Sequence, residues 1–97
     1  MFKIKQASTG EIVLSGRLDA SKIEQATKIF DEVAVPTVVD LEALDYISSV
    51  GLGLLIKTQK RLMRAGAEGL RLVNVNHSIN NILRVSGFHQ IFDIQAK

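Results

Sequence analysis

The stretch DYISSVGLGLL, Asp45–Leu55, sets two serines and two glycines where a buried strand hands over to a helix. Immediately upstream, VPTVVDL (Val35–Leu41) is a run of β-branched residues whose one proline stands at its start, where a strand tolerates it. It reads as a central strand, apolar enough to be buried on both faces. Downstream, a helical pattern runs to about Arg64 and is stopped by AGAEG (Ala65–Gly69); LRLVNV (Leu70–Val75) then reads as another strand. HSINNILRVSG (His77–Gly87) predicts a short third helix with Ile79, Ile82 and Leu83 inward and Gly87 as its stop, and IFDI (Ile91–Ile94) a last strand. Toward the N-terminus, Phe2–Lys5 and Glu11–Ser15 predict two strands joined by the turn residues of QASTG (Gln6–Gly10). Between hairpin and central strand, Ile23, Ala26, Phe30 and Val33 share one face of a helix expected at about 21–33, with Ser21 and Glu24 spaced as a capping box. Strands alternating with helices imply an α/β domain: a mixed central β-sheet of about five strands with helices packed against it.

Composition bounds the rest. The chain has 97 residues, 46% hydrophobic, and its apolar runs are too short to cross a bilayer, so residues 1–97 are expected to form one soluble domain without direct membrane insertion. MFKIKQAS, at the start, has no apolar signal-peptide core, which predicts a cytoplasmic location. With no cysteine there is neither a disulfide framework nor a thiolate metal site. The formal net charge is only +2, too small for strong long-range attraction to nucleic acid or anionic lipid.

On the second helix, Leu52, Leu55, Ile56, Leu62 and Met63 fall on one stripe, expected to cover the sheet. Val50 and Leu54 fall roughly opposite, with Lys57, Arg61 and Arg64, which predicts an outward apolar spot rimmed by cations. Gly51 and Gly53 each cost about 1 kcal/mol of helix propensity. Close packing of the helix start and close approach of a partner's backbone both account for them. Ser48 or Ser49 suits the N-cap, and a phosphoryl group there would also suit the helix's positive end.

Enzyme chemistry finds little support. His77 and His89 are isolated and lack metal-ligand spacing, and GLGLLI lacks the third glycine of a dinucleotide fingerprint. Asp40, Glu42 and Asp45 read as turn formers. No cofactor and no metal are expected. Aromatics are 5% of the chain and do not interleave with Lys57, Lys60, Arg61 and Arg64, so no nucleic-acid partner is expected.

The order of elements, GRLDAS (Gly16–Ser21) and above all VVDLEALDYISSVGLGLL (Val38–Leu55) resemble the STAS domain of bacterial anti-sigma factor antagonists, or anti-anti-sigma factors. The likeness runs through LRLVNVNHSINNILRVSGFHQIFDI (Leu70–Ile94), without the additional C-terminal helix that many members carry. It implies a non-enzymatic binding switch in signal transduction and transcription regulation. In that family the unphosphorylated protein binds an anti-sigma factor that is also a serine kinase of ATP-binding fold, which frees a sigma factor; phosphorylation by the kinase abolishes binding. Laid on the family's Asp-Ser-Ser-Gly-Leu motif through Gly51–Leu52, the family aspartate falls on Ser48, its first serine on Ser49 and the acceptor on Val50, which cannot be phosphorylated. Gly16, Leu18 and Asp19 match the family's Gly-x-Leu-Asp loop. The expected partner surface is therefore Asp19, Ser48, Ser49, Val50, Gly51, Leu54 and Lys57, on a monomer. The valine leaves three readings open: docking without phospho-control, an acceptor moved to Ser49 or Ser48, or another role such as a STAS subunit of a transporter or other assembly.

Overall fold

Three parallel steps and one hairpin build the sheet. The computed structural model describes residues 1–96. Strands β1 (Phe2–Gln6) and β2 (Ile12–Leu18) pair antiparallel; β3 (Thr37–Ile47), β4 (Leu70–Val75) and β5 (Asp93–Ala96) follow, each parallel to its predecessor, in the spatial order β1-β2-β3-β4-β5. The connections carry α1 (Ile23–Phe30), α2 (Ser49–Arg64) and α3 (His77–Val85), with short 3-10 turns at Ala20–Lys22 and Phe88–Gln90. The expected mixed five-stranded sheet and helix order are those observed, with β3 at its centre.

Every crossover advances the same way across the sheet. Since such crossovers are right-handed in nearly all proteins, all three helices lie on one face and leave the other open. Burial follows: Ile12, Leu14, Leu18, Val39, Leu41, Leu44 and Ile47 face the core, while Val13, Ser15, Val38 and Asp40 are only half-buried. The central strand is thus not buried on both faces, a correction that follows from the one-sided helix layer. It is also longer than expected. Two register shifts against β2 carry β3 through the charged residues of LEALDYI; at the first, the Asp40 carboxylate accepts from the Glu42 N–H at 2.9 Å and from Asn74 Nδ2 at 3.2 Å. Beyond it, Arg17 stacks over the Tyr46 ring at 4.3 Å on the paired strand.

The first helix is shorter than its predicted 21–33, and no Ser21–Glu24 capping box forms. Asp19 caps the preceding 3-10 turn instead, and the α1 N-cap, Lys22, makes no side-chain hydrogen bond. At the other end, Arg61 of α2 donates to the Phe30 and Val33 carbonyls at 2.8 and 2.6 Å, closing the C-terminus of α1. Gln59, nearly fully buried, accepts from the Leu70 N–H and donates to the Ile91 carbonyl, each at 2.6 Å, and so ties α2 to the start of β4 and to the turn that leads into β5.

Candidate functional site

The candidate site lies where β3 hands over to α2, at the C-terminal end of the parallel strands. Ser48 is the N-cap: its backbone is extended and its hydroxyl accepts from the Gly51 N–H at 3.2 Å. Its own N–H donates to the Leu18 carbonyl at 2.9 Å, so the residue just before Asp19 is bound to the helix start. This joins the β2–α1 loop and the first turn of α2 at one place. Ser49 is the first helical residue, exposed, and its hydroxyl makes no hydrogen bond among the described residues.

Asp19 is well supported. Its carboxylate accepts from the Ser21 hydroxyl at 2.6 Å and the Ser21 N–H at 3.0 Å. The Ser21 hydroxyl is the main cause holding Asp19 below the usual carboxylate range; partial burial opposes this, and the Ser21 N–H, Lys22 and Arg17 add to it. Asp19 is therefore an anion at neutral pH. Upstream, Gly16 at φ +84° has its backbone against the Met1 carbonyl, where any Cβ would overlap. That carbonyl accepts from the Arg17 N–H at 2.9 Å, which fixes the strand leading into the Asp19 loop.

The two glycines separate by role. A Cβ on Gly51 would stand 2.8 Å from Ile47 Cγ1 and 3.0 Å from Leu18 Cγ, so Gly51 serves packing of the helix start on the ends of β2 and β3. It is buried, and its place on the expected partner surface is corrected accordingly. A Cβ on Gly53 would meet nothing within 4 Å. Internal packing gives no reason for glycine there.

Val50, at the second helical position, is 46% exposed, and Lys57, two turns further along the same stripe, is exposed as well. Leu54 is not. At 6% exposure it belongs to the core, and the expectation that it faces a partner is corrected. The reason is that α2 packs on two neighbours. Its stripe Leu54–Thr58–Arg61 is turned toward α1, as the Arg61 bonds to Phe30 and Val33 show, while Leu55 and Leu62 cover the sheet. The same rotation exposes Met63, expected inward, and removes Arg61 from the outward cations. These displacements were hidden in the sequence because a single-plane period cannot report a second packing partner. Arg61 and Gln59, both missed as structural residues, carried no sequence signal, since their carbonyl and N–H partners lie 28 and 11 residues or more away.

Of the other polar residues, His77 opens α3 and His89 lies in the second 3-10 turn. Among the described residues no group of histidines and carboxylates has the arrangement of a metal site.

Comparison with known proteins agrees with this geometry. No curated protein matches the chain. Among solved structures, an anti-sigma factor antagonist from Mycobacterium paratuberculosis superposes with a TM-score of 0.81 at 19% identity, over 100% of this chain and 86% of that one. The phosphorylated form of SpoIIAA, a cell fate determinant of Bacillus, gives 0.69 at 19%, over 100% and 92%. A sulfate transporter family protein from Wolinella succinogenes gives 0.74 at 13%, over 93% and 84%. Each shares the fold. The sequence itself matches the STAS domain over residues 4–97, and with the five-stranded sheet and the Leu18–Ser48 junction in place, the chain belongs to the STAS domain family.

Proposed function

We propose that this domain is a protein-binding module of the anti-sigma factor antagonist type, docking on an anti-sigma factor/serine kinase through the start of α2 without phospho-control. The observation that carries the reading is Val50. An apolar side chain, 46% exposed in the first turn of α2, stands next to a helical glycine with open space at its Cβ, beside an anionic Asp19 loop. An exposed apolar residue in such a place favours burial against a partner, and a valine offers no hydroxyl to a kinase. The docking residues are Asp19, Ser48, Ser49, Val50 and Lys57, with Gly53 beneath the partner's closest approach. The structural likeness to antagonists, one of them in a phosphorylated form, supports this class.

Intact-mass spectrometry tests it. Mixed with an anti-sigma factor kinase and ATP, the wild-type chain should form a complex and keep its mass, whereas Val50→Ser should gain one phosphate and dissociate, since a dianion on the docking face resists burial. A phosphate on wild-type Ser49, whose hydroxyl is exposed and unbonded, or on Ser48, would overturn the loss of control. A second reading, a subunit of a transporter or another assembly, draws support from the Wolinella succinogenes likeness. Binding to a transporter component in place of a kinase would favour it.

A further inference from the structure

Beyond its first turn, α2 presents one straight strip to solvent: Val50, Gly53, Lys57, Lys60 and Arg64, spaced by alternating steps of three and four, so that they lie along a single line of the helix. We infer that this strip is one continuous docking surface and that its occupant is an acidic protein segment. That segment lies along α2 with carboxylates over Lys57, Lys60 and Arg64 and its backbone close to Gly53. The inference rests on the docking reading above and extends it to the chemistry of the partner.

The fold does not require this strip. Among the described residues Lys57, Lys60 and Arg64 make neither an ion pair nor a hydrogen bond. Like charges three and four apart on a helix weaken it. The helix dipole favours Arg64 in the last turn but gives Lys57 no support at mid-helix, and it has no bearing on Gly53. Gly53 lowers helix propensity with no neighbour within 4 Å of its Cβ position. Three unpaired cations in line with a bare backbone and one exposed valine complement a narrow anionic partner. A membrane surface or a nucleic acid fits less well. The strip is one helix wide, carries no aromatic ring to enter an interface or stack on a base, and belongs to a chain of net charge +2.

The test uses the full chain, isotope-labelled, and a helical alanine-based peptide of about 20 residues bearing glutamates along one face, long enough to match α2. NMR shifts should concentrate on Val50–Arg64, and binding should weaken several-fold between about 0.05 and 0.5 M salt. The triple variant Lys57→Gln, Lys60→Gln, Arg64→Gln should keep its circular dichroism spectrum and lose roughly tenfold in affinity, as expected for three exposed ion pairs. Shifts spread equally over Lys3, Lys5, Lys28 and Arg84 would overturn the inference. So would tighter binding of phosphatidylserine vesicles or duplex DNA to the same strip. The docking reading fails separately. If a kinase binds in a Val50-dependent manner and the double variant Lys60→Gln, Arg64→Gln binds it equally well at low salt, the acidic partner strip is wrong and the docking site stands.

Discussion

Gly51 and Gly53 are separated by one residue and predict opposite outcomes for the same substitution. Gly51→Ala forces a Cβ to within 2.8 Å of Ile47 and 3.0 Å of Leu18, both in the core, and should destabilise the domain by about 1–3 kcal/mol. Gly53→Ala enters open space and should stabilise it by about 0.5–1 kcal/mol. Urea unfolding of the two variants reads both signs in one experiment. Asp19 supplies a pH signature. Its folded pKa is depressed, chiefly by the Ser21 hydroxyl, so its contribution to stability is present above the unfolded carboxylate value of about 3.9 and is lost as pH falls through the lower folded value. Ser21→Ala should move the Asp19 titration up toward its ordinary range, as followed by carboxyl NMR shifts, and shift acid unfolding to higher pH. Ser48 and Ser49 were equally good N-caps in the sequence. The choice of Ser48 follows from β3 ending at Ile47, which orients the Ser48 N–H onto the Leu18 carbonyl.

For the elements, the order of strands and helices was legible because each has its own period and its own stop, and α2 ends at Arg64 as its pattern predicts. Where reading failed, a contact between elements decided the outcome. LEALDYI reads as a loop by its charges, yet it continues β3, because Asp40 satisfies the Glu42 N–H at the bulge and lets the ladder resume. Leu54 reads as outward until α1 is placed beside α2, and the placement is made by Arg61. That residue gives a prediction at this scale. Arg61→Met leaves the Val33 carbonyl without its donor and the Phe30 carbonyl with only the Val33 N–H, and should cost about 2 kcal/mol in urea unfolding, with the loss concentrated in faster amide exchange across α1. Arg61→Lys should recover little of it, since an ammonium lacks the two-pronged geometry that reaches both carbonyls. A cost near zero would show that α1 is closed by packing alone.

Across the whole molecule, a sheet wound in one direction has two unlike sides. One carries the three helices and the proposed strip; the other is an open face where Arg71 pairs with Asp93 at 3.0 Å, and Lys3 and Lys5 stand exposed. The alternation is legible in the residues but the one-sidedness is not, because a run such as TVVDL looks fully buried until the direction of every crossover is known. The exposed Ser49 hydroxyl also makes the molecule chemically addressable. With no cysteine in the chain, Ser49→Cys introduces a sole thiol of nearly the same shape at the start of α2, and Ser15→Cys does so on the opposite side. A maleimide reagent then footprints occupancy from either side: docking on α2 should slow modification at position 49 at least tenfold and leave position 15 unchanged. Equal protection at both would place the partner around the sheet rather than on the helix.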